Sequence, residues 1–210
     1  MSSPARSEDV YRDDGPLALA LARALRGVAL PDPALLAVAG GLPLVVVLAW
    51  PVHVLSAGAA AAAVAWLVLA AAPGAGRPAG RRFAWTVPPL LRALEYGTLI
   101  KLTALADPGG MAACYALLAV LAFHHYDAVY RLRQQGVAPA AWRRIAGGGW
   151  DGRLLVAAVL TLTGGLAAAE AAAAVVLGVA FAAESIASWA RHAGAEHPAA
   201  VYEDDELEDA

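Results

Sequence analysis

Residues 111–133 read MAACYALLAVLAFHHYDAVYRLR, an apolar segment that continues without a break into ionisable side chains. Its first thirteen residues are apolar or small, and a helix needs about 20 to cross a bilayer. A span must therefore continue through His124 and Asp127, which places ionisable groups inside the membrane edge. At about 100° per residue, His124, Asp127 and Arg131 share one helix face, whereas His125 points elsewhere.

The composition of the chain is that of a membrane protein. Of 210 residues, 60% are hydrophobic and 16% are charged, against about 25% charged in a typical soluble domain. The mean hydropathy is +0.58. The net charge of −3 arises because six acidic residues lie in the last eight positions, and the rest of the chain is basic. We expect an all-α, polytopic membrane helix bundle rather than a nucleic-acid binder.

The order of apolar runs predicts one folded domain between two polar ends. Residues 1–15 are expected to be disordered, 16–192 to form a single transmembrane helical domain, and 193–210 to form a disordered acidic tail. A short interfacial helix starts at Pro16, and a surface helix is predicted at 139–145. About six transmembrane helices are predicted: 34–50, 52–72, 85–105, 111–133, 153 to the Gly164-Gly165 turn, and 167–190.

The placement of arginine sets the expected topology. If the N-terminus is cytoplasmic, the predicted outer turns carry no Arg or Lys, as the positive-inside rule requires. This favours a multi-pass protein of the bacterial plasma membrane with both termini in the cytoplasm. The arginines that fall on the cytoplasmic side or its interface are Arg6, Arg12, Arg23, Arg26, Arg77, Arg81, Arg82, Arg131, Arg133, Arg143, Arg144, Arg153 and Arg191.

The same topology predicts a polar pocket in the cytoplasmic third of the bundle. The spans before and after the turn near residue 108 form an antiparallel pair, which brings Arg92 level with His125. Charges buried in a membrane need partners, so these side chains should face inward. The candidate ligand-binding residues are Arg92, Glu95, Tyr96, His124, Asp127, Tyr130, Arg131 and Glu184. The same residues are equally compatible with structural ion pairs, and Glu170 is expected at the solvated outer surface.

Arginines beside a carboxylate and an imidazole are suited to a phosphorylated lipid headgroup, since Arg binds phosphate in a bidentate manner. His124 and Asp127, with Glu95 opposite, are also compatible with a divalent metal. No P-loop, HExxH, GxSxG or cysteine-rich zinc pattern is present, so no catalytic residue is assigned. Polar groups lie on one side of the membrane only, which disfavours a transporter.

Three motifs carry a resemblance to a known family: LEYG at 94–97, FHHYDAVYRLR at 123–133 and GGGWDGR at 147–153. They resemble an uncharacterised integral membrane domain of high-GC bacteria, often found C-terminal to nucleotidyltransferase and CDP-alcohol phosphotransferase modules. The resemblance implies a setting in phospholipid or cell-envelope metabolism. The Asp151-Gly152-Arg153 motif is not the CDP-alcohol phosphotransferase signature, because 154–169 contains no acidic residue.

Three functions remain open from the sequence. The first is a membrane module that binds or processes a phosphorylated lipid headgroup. The second is a non-catalytic scaffold that assembles with a CDP-alcohol phosphotransferase or a nucleotidyltransferase. The third is a small transporter. Membrane lipids are the expected partners in each case, and stripes of Ala and Gly are compatible with a homo-oligomer.

Overall fold

The computed structural model describes residues 11–77, 83–134 and 147–196, without the side chains of 84 and 192–196. Every regular element in these ranges is helical, and none is a strand. This confirms the all-α prediction. The seven α-helices are α1 (Pro16–Ala24), α2 (Pro33–Ala49), α3 (Ala57–Ala71), α4 (Val87–Ala106), α5 (Met111–Gln134), α6 (Gly149–Thr163) and α7 (Leu166–Glu196).

The first pair of long helices begins at conventional N-caps. The Asp32 carboxylate accepts from the Ala34 amide at 2.8 Å at the start of α2, and the Ser56 hydroxyl accepts from the Ala59 amide at 3.1 Å at the start of α3. Each cap satisfies an amide that the helix itself leaves unpaired. Between the two helices the chain forms a short 3-10 turn, Val52–Val54, so the predicted hairpin is present.

The helices pack around one apolar core that includes Leu44, Leu67, Leu91 and Leu121. Helices α2 and α3 pack along each other, as do α5 and α7, while α6 lies against α3 and α4. Helices α6 and α7 are consecutive but make little contact with each other. Their connection, Gly164-Gly165, has φ of +92° and +87°, values that glycine adopts without steric cost.

Within the described ranges, three stretches are long and apolar enough to span a membrane: Ala57–Gly74, Pro108–Gln134 and Leu166–Arg191. This is fewer than the six spans expected. Helix α2 has 17 residues and α6 has 15. They extend about 25 Å and about 22 Å, short of a hydrocarbon core of about 30 Å. Helix α4 is long enough, but it carries Arg92, Glu95 and Lys101.

Helix ends agree closely with the predicted ones where the apolar pattern is strong. The segment predicted at 111–133 forms Met111–Gln134, and the one at 85–105 forms Val87–Ala106. The last helix continues to Glu196, beyond the predicted 190. The predicted surface helix at 139–145, residues 1–10 and the tail from 197 onward lie outside the described residues.

The N-terminal segment differs from the expectation of a disordered end at 1–15. Residues 11–15, which we term the N-terminal strap, pack into the bundle before α1 begins. Arg12, Asp13 and Asp14 are 4%, 3% and 2% exposed. A polar segment can be buried in this way because its charges find partners inside the protein, which offsets their loss of hydration.

Candidate functional site

Four nitrogen-bearing side chains converge on the carboxylate of Asp13. Arg153 Nη2 lies 2.8 Å from Asp13 Oδ2, and His125 Nε2 lies 3.2 Å from the same oxygen. His124 Nε2 is 3.7 Å from Oδ1, and Arg92 Nη1 is 3.8 Å from Oδ2. These partners come from α4, α5 and α6, so one side chain of the strap joins three helices.

The backbone at Asp13 holds this carboxylate in place. Its φ is +52°, a left-handed conformation that is uncommon outside glycine but tolerated by Asp and Asn. The Asp13 carbonyl accepts from the Trp150 amide at 3.2 Å, which ties the strap to the first turn of α6. Conformations of this kind cost about 1–3 kcal/mol and concentrate at functional sites.

The neighbouring residues of the strap attach it to α6 and keep it buried. The Asp14 carboxylate accepts from Arg12 Nε at 2.8 Å and from the Trp150 indole nitrogen at 2.9 Å. Trp150 is completely buried. An indole N–H in a protein interior needs an acceptor, and Asp14 supplies it.

Asp151, from a distant part of the chain, supplies the acceptors for backbone amides at the N-terminus of α1. Its carboxylate accepts from the Gly15 amide at 2.6 Å and from the Ala18 amide at 2.8 Å. The two backbones approach so closely that a Cβ on Gly149 would lie 2.2 Å from the Gly15 nitrogen. The Gly-Trp-Asp sequence at 149–151, at the start of α6, is therefore explained by contact with the strap.

Glu95 completes the charge balance around Asp13. It is fully buried, and it accepts from Arg153 Nε at 2.6 Å and from Arg92 Nη1 at 3.1 Å. Arg153 also donates to the Gly147 carbonyl at 2.8 Å. Two arginines thus face two carboxylates, and each guanidinium bridges groups from different elements.

The two histidines differ in how their nitrogens are used. His125 Nδ1 lies 2.8 Å from the Tyr96 hydroxyl, while its Nε2 faces Asp13. Because a carboxylate only accepts, we assign the proton of neutral His125 to Nε2, and Tyr96 donates to Nδ1. His124 stacks on Phe181, with ring centroids 4.3 Å apart. Its buried Nδ1 has no hydrogen-bond partner among the described residues.

The electrostatics of this group keep Asp13 ionised. Burial alone would raise the pKa of the Asp13 carboxyl, but Arg153, the hydrogen bonds from His124 and His125, and Arg92 outweigh it. The net result is that the pKa of Asp13 lies well below its usual value. We term Asp13, Arg92, Glu95, Tyr96, His124, His125 and Arg153 the Asp13 cluster.

A second cluster joins α5 to α7. Arg131 is 1% exposed and makes a bidentate pair with Glu184, with both N–O distances 2.9 Å. It also lies 2.9 Å from Asp127, whose other oxygen accepts from the Ser185 hydroxyl at 2.8 Å. We term Asp127, Arg131, Glu184 and Ser185 the Arg131 cluster. Its paired geometry is that of a structural ion-pair network between two helices.

Comparison with protein families identifies the family of this chain. A family of unknown function, DUF5941, matches residues 4–207. The chain belongs to DUF5941. No curated protein and no solved structure matches it. The match confirms the expectation of an uncharacterised domain, and says nothing of neighbouring modules or of genome composition.

Seven of the eight predicted site residues of this DUF5941 chain are divided between the two clusters, and Tyr130 lies in neither. Arg92, Glu95, Tyr96 and His124 lie in the Asp13 cluster. Asp127, Arg131 and Glu184 lie in the Arg131 cluster. Tyr130 is 39% exposed and lies beside the rings of Tyr126 and Trp189.

The sequence reasoning missed three members of the Asp13 cluster. From the sequence, Asp13 falls in the predicted disordered end, Arg153 among the arginines that indicate topology, and His125 on a helix face away from His124 and Asp127. The available signals are the acidic pair directly before Gly15 and the arginine that ends the GGGWDGR motif at 147–153. Glu170, expected in solvent, is 2% exposed and accepts from the Thr103 hydroxyl at 2.7 Å.

The metal ligands considered from the sequence do not form one site. Among the described residues of this chain, the three side chains close enough to hold one metal ion are Asp13, His124 and His125. Their ligand atoms lie within 4.8 Å of one another. Arg153 and Arg92 occupy the surroundings of the same carboxylate. A divalent cation at this carboxylate would be repelled by the two guanidinium groups that already surround it.

Proposed function

We propose that this chain is an integral membrane module that binds a phosphorylated lipid headgroup at the Asp13 cluster, on the cytoplasmic side of the bacterial plasma membrane. In this proposal α2–α7 cross the membrane or most of it, and both termini are cytoplasmic. The arginine distribution supports this orientation, because Arg131 and Arg133 end α5 on the side where α6 begins.

The observation that carries the proposal is the convergence of Arg153, Arg92, His124 and His125 on the single carboxylate of Asp13. Cations and N–H donors directed at one point form an anion site. Phosphate oxygens present the same acceptor chemistry as a carboxylate, and arginine is suited to bind them. Asp13 therefore occupies the position that a phosphate group would take, and the headgroup displaces it by rotation of its side chain.

An anion titration of the purified full chain tests this proposal. The probes are inorganic phosphate and dihexanoyl phosphatidic acid, and the measurement is the shift of Tm. Asp13→Gly removes the internal carboxylate and suits the positive φ, so it should bind both probes about tenfold more tightly than the wild type. Arg153→Gln should lose this binding, and Arg92→Gln should weaken it.

The matched control is Arg131→Gln, which removes a buried arginine from the other cluster. It should lower Tm without changing the affinity for either probe. If Asp13→Gly gains no anion affinity, or if Arg131→Gln abolishes binding as fully as Arg153→Gln, the Asp13 cluster is not a phosphate site.

A second candidate function is a non-catalytic scaffold for a headgroup transferase. The balance of charge favours it, since Arg92 and Arg153 are already matched by Asp13 and Glu95. In that case variants of both clusters would reduce capture of a co-expressed CDP-alcohol phosphotransferase only in proportion to their loss of stability. The anion titration would then show no difference between the two clusters.

A further inference from the structure

A cleft of about 480 Å³ lies along α6 and α7. This volume is within the range of small-molecule binding sites in proteins, about 300–1,000 Å³. The cleft exists because α6 and α7 make little contact after the Gly164-Gly165 turn. Its walls are formed mainly by Leu99, Leu117, Val156, Leu160, Val176 and Leu177.

The mouth of the cleft lies on an apolar face. Val156 and Val176 are 59% and 65% exposed, and Val175 and Val179 beside them on α7 are 66% and 67% exposed. Helix α7 is one of the candidate membrane spans. A groove that opens through exposed valines on such a helix faces hydrocarbon when the helix is in a bilayer, so the surrounding lipid can enter it laterally.

One end of the cleft is polar and belongs to the Asp13 cluster. Arg153 lines this end together with Gly147, Gly148 and Gly152. Because these three residues have no side chains, the backbone itself lines the polar end of the cleft. From Arg153 to Leu160 the helix rises about 10 Å, which is a third of a hydrocarbon core of about 30 Å. The cleft therefore offers a polar end followed by an apolar channel.

Glu170 marks the far end of this channel. It lines the cleft, is 2% exposed, and its Oε2 has no hydrogen-bond partner among the described residues. A hydrocarbon chain makes no favourable contact with a carboxyl group, so the part of the cleft that suits an acyl chain lies between Arg153 and Glu170. This length accommodates the part of a chain that adjoins its headgroup.

We infer that the α6–α7 cleft holds the headgroup-proximal part of one acyl chain of a phospholipid, whose phosphate lies at Arg153. The inference rests on the proposed function and names its substrate class as a membrane-embedded phosphatidyl lipid, not a soluble phosphate ester. Apolar burial gives little net free energy inside a bilayer, so the phosphate provides the affinity and the cleft provides the steric selection.

Photolabelling in phosphatidylcholine nanodiscs tests the inference with the full chain. The probes are phosphatidic acid and diacylglycerol, each with a diazirine near the ester of one acyl chain, and the labelled peptides are mapped by mass spectrometry. Phosphatidic acid should label α6 and α7 about tenfold more than diacylglycerol does, because one charge-assisted contact to phosphate contributes about 1.4 kcal/mol or more.

Ala173→Phe fills the cleft, and Val179→Phe places the same side chain on the exposed face outside it. Ala173→Phe should reduce labelling by phosphatidic acid about tenfold, because the ring excludes the chain, whereas Val179→Phe should match the wild type. Ala169→Phe, also in the cleft wall, replaces Ala173→Phe if that variant does not fold.

The outcomes separate the two proposals. If phosphatidic acid is preferred but neither cleft variant reduces labelling, the acyl-chain inference fails and the headgroup site stands. If both probes label equally and the cleft variants block both, the cleft holds a chain without recognising phosphate, and the proposed function fails. Labels confined to α2 and α3, or copies of the chain cross-linked through α7, would overturn the assignment of the cleft to lipid.

Discussion

Arg153 and Asp13 lie 140 residues apart in the sequence, and their side chains meet at 2.8 Å inside the bundle. Both are almost completely buried, with side-chain exposures of 9% and 4%. Arg153 is the fifth residue of α6, and Asp13 precedes α1, so this pair holds the N-terminal strap against the body of the protein. It is also the point where the Asp13 cluster and the cleft join.

Removal of the Asp13 carboxylate should destabilise the chain strongly. Asp13→Ala leaves Arg153 and Arg92 facing only Glu95 and places Ala at a φ of +52°. We expect a loss of about 3–5 kcal/mol, the usual effect of breaking a buried ion pair. Asp13→Asn should lose less, because Asn tolerates this conformation and keeps one acceptor oxygen. Denaturant unfolding in detergent measures both, and equal stability of the two variants would contradict the argument.

The depressed pKa of Asp13 predicts loss of stability in acid. A carboxyl whose folded pKa is lowered contributes stability that is complete above its unfolded pKa of about 3.9 and is lost as pH falls through its folded pKa. We therefore expect Tm to fall more steeply below about pH 4 in the wild type than in Asp13→Asn. The difference between the two Tm–pH curves isolates this group, and parallel curves would show that Asp13 does not titrate with folding.

Gly149 should tolerate no side chain. It has a φ of +64°, and a Cβ would lie 2.3 Å from the Gly15 Cα. Gly149→Ala is expected to cost more than about 2 kcal/mol, since neither backbone can move without breaking the strap contacts. Gly152→Ala is the matched control, because nothing lies within 4 Å of its Cβ position in the same helix. It should be neutral or stabilising by up to about 1 kcal/mol, as measured by thermal unfolding.

The Arg131 cluster should behave as a structural coupling between α5 and α7. Arg131→Gln leaves Asp127 and Glu184 without their buried cation, and we expect a loss of about 3–5 kcal/mol. The double variant Arg131→Gln with Glu184→Gln should lose less than the sum of the single variants, because the pair is then removed together. A double-mutant cycle from unfolding free energies checks this, and strict additivity would exclude direct coupling.

Glu170→Gln should stabilise the chain or leave it unchanged. The bond from the Thr103 hydroxyl to Oε1 is kept, and a buried carboxyl group with one unpaired oxygen is replaced by an uncharged amide. We expect a gain of up to about 1 kcal/mol in unfolding free energy. A decrease of more than about 1 kcal/mol in unfolding free energy would contradict this prediction, because it would mean that the Glu170 carboxylate is stabilised by a partner. Thr103→Val, which removes the hydrogen bond to Oε1, would then show whether that oxygen is responsible.

The helices could be predicted because their signals are local. Apolar runs with proline or glycine at their ends define α2, α3, α5 and α7. The observed ends of α2 and α5 fall within one residue of the predictions, whereas α3 begins five residues later and α7 ends six residues later than predicted. The expectation of six full spans was only partly supported, because α2 and α6 are short and α4 carries three charges. The apolar pattern of a segment does not determine where its helix ends, because packing against neighbouring helices also affects the length.

The amino-acid pattern alone was sufficient to indicate an all-helical chain with ionisable groups on apolar helices, since hydrophobic periodicity and burial cost are properties of each segment. It did not reveal which charges are partners. Asp13 meets Arg153, and Arg131 meets both Asp127 and Glu184, so the one pocket expected from helix register divides into two clusters. Partner choice depends on how α1, α5, α6 and α7 pack in three dimensions, and a buried carboxylate pairs with whichever cation that packing brings within reach.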